Sequence, residues 1–289
     1  MNAINHTSRS LDYQPCHYGG ARILFRGPQK PLNGAYIACL GGTETFGKFI
    51  ETPFPALLEQ ATGTVTVNLG SLDAGIDAFV CSPGLTDIAA NARATVIQIM
   101  GAANMSNRFY TVDPRRNDRF LRPSKALKEI YPEVNFRSYD RVDQMLAALA
   151  RIGPDRLHLV RKELQTAWVA RMRTLIAQIG GPVVLLWAAD HAPYSNATGG
   201  TICRTPLFID RAMLRAIQTG DTRLVEVVGD PQDIAMGLQD MVGSLFERPG
   251  ATDLLGPIVH RRIADALTPI LSDIVGTPHP AREKPLLLA

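Results

Sequence analysis

Ala35–Lys48 reads AYIACLGGTETFGK. Five apolar residues, Tyr36-Ile37-Ala38-Cys39-Leu40, run up to Gly41-Gly42, and Thr43, Glu44 and Thr45 follow. A short apolar run bounded by glycine is the pattern of a strand buried on both faces of a parallel sheet. Polar residues directly after such a strand stand at the carboxyl edge of the sheet, where open α/β folds place their chemistry. The stretch predicts a first strand over 35–40, a turn at Gly41-Gly42 and a helix entered through Thr43.

The pattern recurs downstream. Thr64–Leu69 (TVTVNL) ends at Gly70, and Thr95–Met100 (TVIQIM) ends at Gly101. Val183–Ala188 (VVLLWA) leads to Asp190-His191, and Leu224–Val228 (LVEVV) supplies a fifth strand. Between them apolar residues recur at helical spacing, most clearly Leu157, Val160, Leu164, Trp168, Met172 and Leu175 within 155–179. Helices are also expected over 140–152, 207–218, 231–246 and 257–274. Pro53 and Pro55 predict a bent helix entry, Gly63 a C-cap, and Gly180-Gly181-Pro182 the end of the long helix. Strand–helix repeats joined by long connections predict a three-layer α/β/α architecture with a five-stranded, mostly parallel sheet. Residues 1–34 read as an N-terminal arm. Residues 35–275 read as a single α/β domain with a basic insertion over 104–139, and 276–289 as a loose C-terminal tail. The insertion shows no period and is expected to be structureless, a feature that in a compact domain is usually functional.

The bulk composition excludes several classes. The chain has 289 residues, 46% hydrophobic and 20% charged, with a mean hydropathy of +0.01, as in ordinary globular proteins. A net charge of +3 is too small to imply nucleic-acid or membrane partners. No apolar run approaches the roughly 18 residues of a membrane span, and the N-terminus lacks the apolar core of a signal peptide. Cys16, Cys39, Cys81 and Cys203 are scattered without a CxxC pair, which argues for reduced thiols and against a zinc site. A cytoplasmic protein with no metal and no cofactor is expected, and a homo-oligomer is left open.

The series LGGTETFG, PFPALLEQ, VNLGSLDAGID and VIQIMGAAN, with DLLGPIVHRRIADALTPIL near the end, resembles the SGNH/GDSL hydrolase superfamily. That family's first strand ends in Gly-Asp-Ser, its second in Asn-hydrophobic-Gly and its third in Gly-x-Asn-Asp. The resemblance covers about 35–107 and 250–272 and implies a flavodoxin-like sheet and acyl-ester chemistry. It places Thr43 where the family has its nucleophilic serine, and Gly70 and Asn104 as oxyanion donors, with Asn107 competing for the third block. The closing Asp-x-x-His survives only as Asp253-Leu254-Leu255-Gly256, so the family's histidine is missing. The whole chain also resembles an alphaproteobacterial family of unknown function.

Other residues carry chemistry of their own. Thr43 and Glu44 suit a nucleophile or ligand contact at a strand end, or capping of the next helix. Gly42–Lys48 (GTETFGK) has the Gly-x-x-x-x-Gly-Lys spacing of a phosphate-cradling loop, with Lys48 as the phosphate ligand. Phe49 stands where such a loop needs a magnesium-binding hydroxyl. Asp190 and His191 pair a carboxylate with an imidazole at a strand end, although neighbours on an extended backbone face opposite ways. His260 is the surrogate base nearest the missing one, or a core histidine. Arg108, Arg115, Arg116, Arg119, Arg122 and Lys125 crowd the insertion against Asp113 and Asp118, beside Phe109, Tyr110 and Phe120, which suits anion recognition. Three functions follow. One is acyl or related group transfer or hydrolysis on an anionic, carbohydrate-like small molecule, with Thr43 as nucleophile and His191 or His260 as base. Another is a transferase whose phosphate- or sulfate-bearing donor is held by the 42–48 loop and the arginines. The third is a non-catalytic binding protein.

Overall fold

In a computed structural model describing residues 11–195, 204–243 and 254–277, β1 runs Tyr36–Gly41 with all six residues buried. Ile37 and Cys39 meet Phe54, Leu58, Val259 and Ile263 on one side. Tyr36, Ala38 and Leu40 belong with Phe79, Leu85 and Trp168 on the other. Successive side chains of a strand alternate faces, so an unbroken apolar run is what a strand covered on both faces requires.

The remaining strands are β2 (Val65–Gly70), β3 (Ala94–Gln98), β4 (Tyr110–Val112), β5 (Phe120–Pro123), β6 (Val183–Ala189) and β7 (Thr222–Val228). β2-β1-β3-β6-β7 form a five-stranded sheet with every pair parallel, and β4-β5 form a separate antiparallel ribbon. The large sheet is the one the sequence predicts, in flavodoxin-like order. Its order reverses between β1 and β3, which opens a crevice beyond their carboxyl ends.

After β1 come the single-turn α1 (Thr43–Phe46) and α2 (Phe54–Thr62). Pro53 precedes α2, and Gly63 ends it in the left-handed region at φ 66°. The next helices are α3 (Asp77–Val80), α4 (Pro83–Asn91), α5 (Lys125–Ile130), α6 (Val142–Ile152) and α7 (Pro154–Ile179). Three more among the described residues are α8 (Arg211–Ile217), α9 (Pro231–Gln239) and α10 (Pro257–Gly276). α2 and α10 cover one face of the sheet; α3, α4, α7 and α8 cover the other. Of the predicted helix over 231–246, residues 244–246 lie outside the described residues. No helix among the described residues is long and apolar enough to cross a membrane.

The insertion departs from its expected structureless form. It holds the β4-β5 ribbon, α5, whose N-cap Ser124 accepts from Leu127 N, and a 3-10 turn over Phe136–Ser138. Strands of three and four residues with a register shift between Thr111 and Val112 offer too few alternating positions to show in a sequence. The described part of the arm buries Tyr18 and Phe25, and its Arg26 donates to the carbonyls of Gly47 (2.6 Å), Ile50 (2.8 Å) and Glu51 (2.9 Å). Arg26 thereby fixes the loop that follows α1.

Candidate functional site

β1 brings Gly42 and Thr43 to the crevice, and β3 brings Gln98. Gln98 is the one polar side chain in TVIQIM besides the initial threonine, and it is buried. Its Oε1 accepts from Gly42 N (3.2 Å), Thr45 N (3.0 Å) and Thr45 Oγ1 (2.6 Å). One carboxamide oxygen thus meets the free N–H groups at the start of α1, a helix that has no cap from its own N-cap residue.

Thr43 stays half-buried and outside that arrangement. Its hydroxyl accepts from Asp73 N (3.0 Å) and donates to Asp73 Oδ1 at 3.5 Å. Asp73 occupies the left-handed region at φ 55°, uncommon for a residue with a side chain. Thr43 and Asn104, whose Nδ2 donates to Asp73 O at 3.2 Å, hold it there. Burial first, and then the nearby Asp118 carboxylate, push the Asp73 carboxyl above its ordinary range, while Arg141, Lys48 and Arg116 oppose the shift.

Asp118 arrives from the insertion. Its Oδ2 accepts from Arg141 Nη1 (2.7 Å) and Arg116 Nη2 (3.1 Å), and its Oδ1 is buried with no hydrogen-bond partner among the described residues. The preceding Asn117 accepts from Gly75 N (2.9 Å), which pins the insertion onto the loop that carries Asp73. The result is a hydroxyl beside a carboxylate of raised proton affinity, with Lys48, Arg116 and Arg141 around them. A carboxylate tuned upward in this way is a better acceptor for a hydroxyl proton than an ordinary aspartate.

The other expected residues divide. Glu44 Oε1 accepts from Leu255 N (3.1 Å), and its Oε2 lies 3.6 Å from His260 Nε2. His260 is fully buried; its Nδ1 accepts from Phe54 N (3.1 Å), the first N–H of α2, and its ring stacks on Phe54. The hydrogen-bond network therefore assigns the proton to Nε2, and the nitrogen that would act as a base is already engaged. Of the two roles open to His260, its contacts are those of the core histidine, anchoring the start of α2 to α10. Asp190 and His191 do meet, Oδ1 to Nδ1 at 2.6 Å, because β6 ends at Ala189 and the backbone has left the extended form. His191 otherwise packs on Trp187 and Tyr194, so its ring contacts belong to β6 and the segment after it.

The Gly70 N–H expected at an oxyanion is donated to Asn68 Oδ1 (2.8 Å), and a Cβ on Gly70 would come within 2.2 Å of Phe46 N. Glycine is there so that β2 can touch α1. Asn107 accepts from Phe109 N and Tyr110 N and shapes the turn into β4, so Asn104 alone of the two asparagines reaches the site. The 42–48 loop is not a phosphate cradle. Its helix ends at Gly47 (φ 75°) instead of beginning after it, and Phe49 also turns left-handed (φ 65°). Lys48 lies over the Phe49 ring at 4.9 Å. Arg108, Arg115 and Arg119 are exposed, with no side-chain ion pair among the described residues. Asp253 lies outside the described residues. Asp73, Gln98, Asn117, Asp118 and Arg141 were not singled out as site residues by the sequence. Gln98 had a signal, a lone amide in an apolar strand, and Asp73 had another, a carboxylate three residues past a strand end. Two cavities of about 630 and 540 Å³ lie in the insertion and beside the arm; neither is lined by Thr43 or Asp73.

Residues 1–275 match the model of a family described as Domain of unknown function (DUF6473), and the chain belongs to that family. No curated protein matches it. Among solved structures it is similar to one described as a GDSL-like lipase from Bacteroides ovatus ATCC 8483, at 13% identity and a TM-score of 0.39. That match covers 84% of this chain and 54% of the other, so the chain spans about half the length of that protein. It is also similar to a lipase from a goat rumen metagenome, at 10% identity and a TM-score of 0.35, covering 84% of this chain and 96% of the other.

Proposed function

We propose that this member of the DUF6473 family transfers or hydrolyses an acyl or related group on an anionic, carbohydrate-like small molecule. The observation that carries the reading is the Thr43 hydroxyl beside the Asp73 carboxylate at the β1/β3 crevice. Thr43 Oγ1 attacks the acyl carbon and its proton passes to Asp73. The carbon–oxygen bond to the leaving alcohol breaks, and the alcohol departs with that proton. Water or an acceptor hydroxyl then attacks the threonyl ester, releasing Thr43 with its hydroxyl restored. Asn104 and the cations Lys48, Arg116 and Arg141 orient the anionic part of the substrate. Asp73 takes the base role that the sequence offered to His191 or His260.

The test is turnover of short-chain p-nitrophenyl esters and acetylated acidic sugars. Thr43→Ala is expected to lower it by about a hundredfold or more, Thr43→Ser to retain most of it, and Asp73→Asn to lower it by about 10²–10⁴. Turnover untouched by Thr43→Ala overturns the reading. A non-catalytic anion-binding role is the second reading, favoured by the Gly42 and Gly70 N–H groups already being bonded to Gln98 and Asn68.

A further inference from the structure

The insertion forms a half-open pocket of about 630 Å³, within the range of roughly 300–1,000 Å³ that suits small molecules. Its base is aromatic: Phe120, Tyr131 and Phe136 line it, with the Phe120 and Phe136 rings 6.3 Å apart. Leu121, half exposed at 49%, adds an apolar side chain open to an incoming ligand. The rim is cationic. Arg122, Lys128 and Arg137 are all exposed lining residues, opposed there by Asp140 alone.

The neighbouring acids are already matched elsewhere. Glu129 faces Lys125, Glu133 pairs with Arg156, and Asp118 and Asp143 pair with Arg141. Among the described residues none of the three rim cations has an ion pair or side-chain hydrogen bond, so their positive charge is left available to a ligand.

We propose that this cavity is a binding site for a small molecule with a flat apolar body and one or two acidic groups, such as a fused-ring carboxylate, sulfonate or phosphate. The body packs against Phe120, Phe136 and Leu121. The acidic groups meet Arg122 and Arg137, whose planar guanidinium groups grip such anions through two hydrogen bonds at once, with Lys128 as a point charge. The site does not depend on the chemistry assigned to Thr43, but it adjoins it. Phe120 N donates to Asp140 O and Val142 N to Asp118 O, so the cavity wall and the Asp118–Arg141 pair share one backbone ladder.

The test is a fluorescence titration of the full chain with 8-anilinonaphthalene-1-sulfonate, repeated with the uncharged N-phenyl-1-naphthylamine. Saturable one-site binding of the sulfonate is expected, about tenfold or more tighter than the neutral dye. Arg122→Glu with Arg137→Glu is expected to weaken it by a similar factor, while Thr43→Ala leaves it unchanged. Equal affinity for the two dyes overturns the proposal without recourse to any variant. Sulfonate binding that survives the double charge reversal, or that is lost in Thr43→Ala, also overturns it. Loss of ester turnover in Thr43→Ala with dye binding intact separates this proposal from the catalytic one.

Discussion

Asp73 sits in a place that opposes its charge. Its carboxyl is raised by burial and by Asp118, so the folded chain binds that proton more tightly than the unfolded chain does. Ionised Asp73 therefore subtracts from stability at neutral pH. The deficit is relieved as pH falls through the raised folded value and is gone below the ordinary aspartate range. Asp73→Asn should melt higher than the parent near about pH 7, with the gap closing toward about pH 4. A gap that widens on acidification would contradict the assignment. His260 makes the opposite kind of contribution. Truncation to alanine leaves Phe54 N–H without its buried acceptor and opens a void under α10, which should cost about 2–4 kcal/mol in urea denaturation. An unchanged midpoint would mean that the histidine is free to do chemistry after all.

Among the elements, the strands were the most legible. β1, β3 and β6 are runs of apolar residues ended by glycine or a polar group, and burial on both faces demands that pattern; β2 and β7 show it more weakly, and β4 and β5 do not. Thr43 and Asn104 were legible for the same reason, since strand ends locate them. Asp118 and Arg141 were not, because nothing local sets them apart from other charged residues; only the folding of the insertion onto the 71–75 loop brings them within electrostatic reach of Asp73. His260 was legible as two alternatives, and the contact that decides between them spans 206 residues. The junction of β2 with α1 tests how tightly this edge is built. Gly70→Ala places a methyl group against the Phe46 amide and should destabilise the chain by about 1–3 kcal/mol by calorimetry. It should lower activity as well, because α1 carries Thr43.

At the scale of the whole molecule, the inner strands β1, β3 and β6 are covered on both faces by helices. Hydrogen exchange should find their amides the slowest among the described residues, with those of the β4-β5 ribbon faster by an order of magnitude or more. The contacts of Glu44 with Leu255 and of Phe54 with His260 have a consequence for how the chain is made. They join residues separated by 211 and 206 positions. At ribosomal speeds of roughly 5–20 residues per second, the first partner waits roughly 10–40 s for the second. Throughout that interval the Ile37, Cys39, Phe54 and Leu58 surface is bare, an apolar patch on a nascent chain whose other half is already able to collapse. That surface is covered only once α10 emerges. Chains cut before Pro257 should accumulate in the insoluble fraction.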